Sequence, residues 1–261
     1  MRSPAQARDR RETPRAAAAR RVLAQADGVL LDWDGCVALG DRPLPAAVRL
    51  IQAHADRVAI VSNNSTHLPH MFAAVLAEAG APLPPERVIL AGDEALKRAA
   101  RAGAKRALVL GCSRMRAHAH DLGLNLVRDE ADLVVLLRDT RFSYARLERA
   151  VNCLARGARL IVANPDGTHP GLHGRVAPET GALLAAIMAC VDPAAIEVEV
   201  VGKPAPRLFE SACAALGAAT ERAVMVGDNP QTDVAGAEAL GLQAILVGGR
   251  SDLEIGDLVG L

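Results

Sequence analysis

The sequence is poor in aromatic residues, in excess charge of either sign and in long apolar runs. Aromatic residues make up only 2% of its 261 residues, which leaves few rings for stacking on nucleobases. Its 30 basic residues are balanced by 30 acidic ones, so no broad basic face for nucleic acid is expected. No apolar run reaches the roughly 18 residues that a transmembrane helix needs. Nucleic acids and membranes are therefore not expected as partners.

Cysteine is also scarce. The five cysteines are odd in number and no pair has Cys-x-x-Cys spacing, which argues against a disulfide framework or a zinc site. The Arg-rich start of the chain lacks the apolar stretch of a secretory signal. We therefore expect a cytoplasmic protein whose cysteines pack in the core, with Cys36 the one candidate for a reactive thiol because it lies two residues from Asp34.

What the sequence does contain, after residue 20, is a regular alternation of short apolar runs and Ala/Leu/Arg-rich stretches. This alternation is typical of βα units on a parallel sheet, and fully apolar strands indicate burial on both faces. We predict helices over 94–101, 114–122, 144–156 and 181–190, capped by Asp93, Ser113, Ser143 and Thr180. The predicted strands are 28–31, 57–61, 88–90, 106–110, 133–137, 159–163, 196–201, 223–226 and 244–247.

Polar groups follow four of these strands. Each motif alone reads as a turn, but ligands of open parallel sheets bind beyond the carboxyl ends of the strands. Four such ends on one edge therefore indicate a functional site. The residues concerned are Asp32 and Asp34 in Asp-Trp-Asp-Gly, Ser62 and Asn63 in Ser-Asn-Asn-Ser, Lys203 in Gly-Lys-Pro, and Asp228 and Asp233 in Gly-Asp-Asn-Pro-Gln-Thr-Asp.

The residue types at this edge indicate phosphoryl chemistry. The clustered carboxylates need a cation, and oxygen ligands in an aqueous site favour Mg2+. Lys203, one of three lysines in the chain, and the Ser62 hydroxyl are anion binders. Of the two carboxylates at the first strand, one can attack phosphorus while the other gives a proton to the departing alkoxide.

These four motifs, in this order, resemble those of the haloacid dehalogenase-like (HAD) superfamily of phosphohydrolases. The resemblance implies an aspartyl-phosphate mechanism with Mg2+. The roles that it implies are nucleophile for Asp32, general acid and base for Asp34, phosphoryl binding for Ser62 and Asn63, charge stabilisation and phosphate binding for Lys203, and metal binding by the Asp32 side chain, the Asp34 backbone carbonyl and Asp228, with Asp233 supporting.

The spacing of the motifs predicts a second domain. About 140 residues separate Ser62 from Lys203, far more than one crossover needs. The segments 141–147 and 163–166 resemble subfamily IIA, the NagD type, which carries a C2-type α/β cap between the second and third motifs. We expect a Rossmann-like parallel-sheet core over 21–85 and 176–261, the cap over 86–175 and a flexible tail over 1–20. The resemblance also implies that Asn164 and Asp166 reach over the site to the leaving group, and that caps pair in a homodimer.

Two departures from this group bear on the pocket. Ala38 stands where an aromatic residue is common, and Leu137-Arg138-Asp139 stands where the group has Gly-hydrophobic-Asp. Trp33 lies between the two carboxylates and should face away from both, into the core. Whether His169 or His173 contacts substrate is left open.

The expected activity is Mg2+-dependent hydrolysis of small phosphate monoesters, and the scarcity of aromatics favours sugar or polyol phosphates. Nucleoside monophosphates and pyridoxal phosphate are the alternative substrates. The alternative activities are those of a phosphotransferase or mutase, a dehalogenase, a receiver-like phospho-Asp protein and a silent ligand-binding descendant. Asp34 argues against the dehalogenase, because carbon–halogen displacement produces no alkoxide to protonate. The chain length and the predicted cap argue against the receiver.

Overall fold

The structure is a computed structural model that describes residues 13–170 and 175–259. Each predicted strand is present, with ends shifted by at most two residues. Two short hairpins, β2–β3 and β9–β10, add to them. The strands are β1 (Gly28–Leu31), β2 (Ala38–Leu39), β3 (Arg42–Pro43), β4 (Val58–Ser62), β5 (Val88–Leu90), β6 (Ala107–Leu110), β7 (Leu133–Leu136), β8 (Arg159–Val162), β9 (Thr168–Pro170), β10 (Val176–Pro178), β11 (Val198–Val200), β12 (Ala223–Gly227) and β13 (Gln243–Leu246).

The helices fill the intervals between strands, and several begin with proline at the first helical turn, where its missing N–H costs nothing. A single π-helical turn, Pro230–Val234, precedes the last helix. The helices are α1 (Pro14–Gln25), α2 (Pro45–Ala53), α3 (Pro69–Glu78), α4 (Ala91–Arg101), α5 (Ser113–Asp121), α6 (Tyr144–Ala155), α7 (Thr180–Met188), α8 (Arg207–Leu216) and α9 (Ala235–Ala239). Among the described residues, no helix is long and apolar enough to cross a bilayer.

The first sheet is the Rossmann-like core. Its five strands are all parallel, in the order β13-β12-β1-β4-β5. Every residue of β1, β4 and β12 is buried, because both faces of the sheet carry apolar layers. The predicted α/β fold class is confirmed. This order places the carboxyl ends of β1, β4 and β12 side by side.

The second sheet lies between the second and third motifs of the sequence, as predicted for a cap. Its four strands are also parallel, in the order β11-β8-β7-β6. Helices α6 and α7 pack on one face through a separate apolar cluster that includes Ala150, Cys153 and Ile187. On the other face, Val135 belongs to the same apolar cluster as Val61 of the core.

Strand pairing changes the predicted domain boundaries. Strand β5, predicted in the cap, pairs with β4 in the core sheet, and β11, predicted in the core, pairs with β8 in the second sheet. The alternation of the sequence looks alike in both sheets and does not reveal hydrogen-bond partners. The predicted tail is also helical from Pro14, where the Thr13 hydroxyl accepts from the Ala16 N–H at 3.1 Å; residues 1–12 lie outside the described part.

Three of the predicted helix caps are wrong. Ser113 is the first residue of α5, where Cys112 is the N-cap. Asp93 lies inside α4, where its carboxylate contacts His118 Nε2 and Lys97 Nζ at 2.7 Å each. Thr180 is the first residue of α7 and is fully buried. Aspartate and threonine favour helix caps, but the side chains of Asp93 and Thr180 instead contact residues outside the first turn of their helices. The prediction for Trp33 is confirmed, since its ring is buried 4.2 Å from that of Phe72.

Candidate active site

Asp32 immediately follows β1 and is held from two sides. Its N–H donates to the Val226 carbonyl at 2.9 Å, which continues the ladder with β12. Its Oδ1 accepts from Lys203 Nζ at 2.6 Å. The ammonium also donates to the Val61 carbonyl at 2.9 Å and forms an ion pair with Asp233 Oδ1 at 2.6 Å. Lys203 therefore joins the ends of three neighbouring strands around the Asp32 carboxylate.

Burial governs the electrostatics of this cluster. It raises the pKa of Asp32 well above its usual value, against the opposing charge of Lys203 and with a further rise from Asp233. Burial lowers the pKa of Lys203, but Asp233 and Asp32 more than offset this and raise it overall. Asp228 also has a raised pKa, because of burial and then Asp233. One ammonium is therefore shared among three crowded carboxylates, and the cluster favours a further cation.

The carboxylates fit a magnesium ion. Single oxygens of Asp32, Asp228 and Asp233 all lie within 4.8 Å of one another, a spacing compatible with oxygen ligands at about 2.1 Å from one centre. Two glycines make room for them. An added Cβ would lie 2.3 Å from Asp228 Oδ2 at Gly35, which has φ +82°, and 2.2 Å from Asp233 Oδ2 at Gly227.

Asp34 lies at the mouth of the same cavity and is accessible to solvent. Desolvation by the cavity walls raises its pKa, while Lys203, His169 and His67 act in the opposite direction. A carboxyl group with a raised pKa at an accessible position can hold the proton that general acid catalysis requires. Its backbone carbonyl as a metal ligand stays a prediction.

The Ser62 and Asn63 side chains are not equally available to a phosphoryl group. Ser62 ends β4, is 1% exposed, and its Oγ accepts from the Asn64 N–H at 3.1 Å. Asn63 Nδ2 donates to Asp166 Oδ2 and to the Lys203 carbonyl at 3.0 Å each, and its Oδ1 accepts from the Lys203 N–H at 2.7 Å. The Asn63 side chain therefore holds the Lys203 loop, and only its backbone N–H remains for phosphate.

Asn164 and Asp166 also have different positions. Asn164 is 1% exposed and its Nδ2 donates to the Asn63 carbonyl at 2.7 Å and to Thr180 Oγ1 at 3.3 Å. It supports the loop, since the Asp166 N–H donates to its Oδ1 at 3.1 Å. Asp166 lines the cavity and Asn164 does not. The predicted contact with the leaving group is wrong for Asn164, because the fold uses this amide as a buried link between domains.

The cavity above Asp32 has a volume of about 550 Å³. Its lining contains the cap residues Arg138, Thr168 and Glu179, which sequence reasoning did not select, and His169, which it left open. Glu179 Oε1 lies 2.8 Å from His169 Nδ1 and 3.4 Å from Arg138 Nε. Arg138 was visible as a departure from the family pattern, whereas Glu179 lies in a segment without any motif. His173 is outside the described residues.

Cys36 does not take part in this chemistry. It is fully buried, and its Sγ lies 3.6 Å from the Val226 carbonyl. Burial, and after it the charge of Asp32, raises the pKa of the thiol well above its usual value. A buried thiol with a raised pKa is inert, so the structure supports the expectation of core packing.

A Rossmann-like core with a buried Asp32–Lys203 pair, a magnesium-compatible carboxylate cluster and an α/β cap together define a cap-bearing phosphohydrolase. Family models agree: the haloacid dehalogenase-like hydrolase model matches residues 29–125, and a second HAD-hydrolase-like model matches residues 200–254. The chain belongs to the haloacid dehalogenase-like hydrolases, in subfamily IIA. It is a phosphoric monoester hydrolase and Mg2+ is its cofactor.

Individual relatives lie in the same group. Dihydroxyacetone phosphatase of Corynebacterium glutamicum is 33% identical over 234 residues, which cover 87% of this chain and 83% of the relative. A glycerol phosphate phosphatase of Mycobacterium tuberculosis in complex with magnesium matches with a TM-score of 0.78 and 27% identity, covering 91% of this chain and 78% of its own. NagD of Escherichia coli matches with a TM-score of 0.77 and 25% identity, covering 87% and 90%.

Proposed function

We propose that this phosphatase acts on small polyol or sugar phosphates and that Asp32 is its nucleophile. The observation that carries the assignment is the ion pair between Asp32 and the buried Lys203 at the floor of an open cavity. Lys203 holds Oδ1 at 2.6 Å, which leaves Oδ2 as the attacking atom. A carboxyl oxygen fixed beside a buried positive charge is suited to attack an anionic ester.

The reaction has two steps in this proposal. In the first, an Asp32 oxygen forms a bond to phosphorus as the ester P–O bond breaks, and Asp34 gives its proton to the departing alkoxide. In the second, Asp34 takes a proton from water, the water oxygen bonds to phosphorus, and the Asp32–phosphorus bond breaks to release phosphate. Mg2+, when bound by Asp32 and Asp228, supplies positive charge that reduces repulsion between nucleophile and phosphate.

The phosphoryl group would be held by groups at the ends of β4 and of the Lys203 loop. Ser62, Asn63 and Lys203 all line the cavity, and the Lys203 ammonium donates to the carbonyl of the residue before Ser62. The donors proposed for phosphate are the Ser62 hydroxyl, the Asn63 backbone N–H and this ammonium. Each is a donor, and together they offset negative charge on the equatorial oxygens. Asp233 contributes by fixing the ammonium through its ion pair.

The lining of the cavity favours a polyol or sugar leaving group. Among the described residues that line it, His169 carries the only aromatic ring, which offers little stacking surface to a nucleobase or a pyridine. The other cap residues at the wall are polar. The relatives named for dihydroxyacetone phosphate and glycerol phosphate support the same substrate class. Asp166 would contact the leaving group from the cap.

Location and assembly belong to the same proposal. Reduced thiols and the charge balance support a cytoplasmic protein, and pairing through the cap is supported by exposed apolar side chains there. Tyr144 at the start of α6 and Val176 in β10 are 81% and 69% exposed. Analytical ultracentrifugation tests the homodimer; a monomer at micromolar concentration would contradict it.

The decisive experiment measures phosphate release from dihydroxyacetone phosphate, glycerol 3-phosphate, phosphoglycolate, pyridoxal phosphate and a nucleoside monophosphate with Mg2+. Asp32→Asn should lose about a thousandfold or more in kcat while it keeps its fold by circular dichroism. Asp121→Asn, a surface substitution on α5, is the matched control. Turnover by Asp32→Asn at the wild-type rate, or a wild-type rate unaffected by EDTA, would refute the mechanism. Transfer of phosphate to an acceptor, or a persistent phospho-Asp, would instead favour the alternatives.

A further inference from the structure

The cap wall of the cavity carries a charge pair that the proposed mechanism does not use. Glu179 precedes α7, and Arg138 follows β7. Their closest atoms, Oε1 and Nε, are 3.4 Å apart, and the two side chains are only 14% and 26% exposed. His169 Nδ1 lies 2.8 Å from the same Oε1. All three residues line the cavity that contains Asp34.

The position of this group relates it to the leaving group. His169 and Asp34 line the same cavity, His169 from the cap and Asp34 from the loop after β1. The group that receives the proton from Asp34 is the leaving-group oxygen, and the rest of the leaving group must extend from there towards the cap. Glu179, Arg138 and His169 therefore form the surface that this part of the substrate meets.

The pairing decides which charge this surface offers. An unpaired Arg138 would present a cation able to bind a substrate carboxylate in a bidentate manner. Glu179 offsets that cation, and Asp166 adds another carboxylate to the same wall. The other arginine of the lining, Arg250, follows β13 of the core sheet and does not belong to the cap wall. The cap wall thus accepts hydrogen bonds readily and has no free cation among its described residues.

We propose, on the basis of the proposed function, that Glu179 is a specificity-determining residue that selects leaving groups bearing hydroxyls and rejects those bearing a carboxylate. A hydroxyl can donate to the Glu179 carboxylate and accept from the Arg138 guanidinium. A leaving group with its own carboxylate meets Glu179 and Asp166 as like charges. Discrimination here comes from a repulsive element as well as an attractive one.

Glycerol 3-phosphate and phosphoglycolate are the probes, since one leaving group carries hydroxyls and the other a carboxylate. The measured quantity is the ratio of kcat/KM for glycerol 3-phosphate to that for phosphoglycolate, in which any general loss of active enzyme cancels. Glu179→Gln removes the charge and keeps the shape, so the ratio should fall by at least about tenfold. Glu179→Asp, which keeps the charge, should retain more of the wild-type ratio. Glu148→Gln, an exposed residue of α6, is the matched control and should leave the ratio unchanged.

A second variant should change the kcat/KM ratio in the opposite direction. Arg138→Gln leaves Glu179 without its cation, so the ratio should rise as phosphoglycolate becomes a poorer substrate. A merely structural role for the pair would move the ratio in the same direction in both variants, or not at all, and either result overturns the inference. If Glu179→Gln does not fold, Arg138→Gln alone tests the inference. Absence of phosphate release from both esters with the wild-type enzyme would overturn the proposed function, and this inference with it.

Discussion

Replacing Lys203 with methionine tests the central cluster of the site most directly. The substitution keeps an unbranched side chain of similar length but removes a charge that is 2% exposed. Lys203 Nζ lies 2.6 Å from an oxygen of Asp32 and 2.6 Å from one of Asp233. Lys203→Met therefore leaves two buried carboxylates facing each other without their shared cation.

The size of the effect follows from these distances. At 2.6 Å and an effective dielectric constant of about 20, each ion pair represents about 6 kcal/mol of Coulomb attraction. Desolvation of the three groups offsets most of this, and removing one partner of a buried pair typically costs about 3–5 kcal/mol. For a chain of this length, such a loss lowers Tm by roughly 6–20 °C.

Urea unfolding of wild type, Lys203→Met and Lys105→Met in buffer with EDTA is the appropriate assay. Lys105 is exposed, so its replacement should change the free energy of unfolding by no more than about 0.5 kcal/mol. Saturating Mg2+ should reduce the deficit of Lys203→Met, since a bound cation replaces part of the missing charge. A deficit below about 1 kcal/mol without metal would refute the reasoning that this lysine neutralises the carboxylate cluster.

Three further outcomes are expected. Asp34→Asn should give a burst of 4-nitrophenolate from 4-nitrophenyl phosphate followed by slow turnover, because phenolate leaves without a proton but water still needs a base; equal burst and steady-state rates would contradict this. Gly35→Ala should weaken Mg2+ binding and lower activity, because its Cβ would lie 2.3 Å from Asp228 Oδ2. An unchanged Mg2+ concentration at half-maximal activity would count against the site. Iodoacetamide at pH 8 should label exposed Cys190 and spare Cys213, whose pKa burial raises to about 11; equal labelling in peptide mass maps would contradict it.

The parts of the site that the sequence predicted are those carried by local pattern. Asp32 follows β1 and Asp228 follows β12, and parallel strands place such residues at one edge of the core sheet. The expectation that Lys203 lies on that edge because of its own strand is wrong, since β11 belongs to the second sheet. The structure nevertheless brings Lys203 Nζ within 2.6 Å of Asp32 Oδ1. The family motifs then made their chemistry specific, because the residue types at the four strand ends match a known set.

The rest depended on contacts that no local pattern records. Thr180 reads as a helix cap in the sequence, yet it is buried against Ser65 and Asn164. Glu179 carries no motif and reaches the cavity because α7 packs next to α6 and the β9–β10 hairpin. The domain boundaries failed for the same reason, since an apolar strand does not identify the strand it will pair with.

Buried hydrogen bonds join the two domains directly beside the candidate active site. Thr180 Oγ1 lies 3.4 Å from Ser65 Oγ and accepts from Asn164 Nδ2 at 3.3 Å. Asn164 donates in turn to the Asn63 carbonyl at 2.7 Å, and the Asn63 side chain binds both the N–H and the carbonyl of Lys203. A series of buried hydrogen bonds thus runs from the first residue of the cap helix α7 to the backbone of Lys203, whose ammonium binds Asp32.

The same hydrogen bonds also anchor the residue proposed to select the leaving group. Glu179 directly precedes Thr180, so the residue proposed to select the leaving group is anchored by the network that positions Lys203. Separating the cap wall from the phosphate site would leave several buried polar groups unpaired, at about 1–3 kcal/mol each. The apolar cluster shared by the two sheets adds to that cost. The cap wall and the Asp32–Lys203 pair are therefore linked by one continuous set of buried hydrogen bonds and apolar contacts.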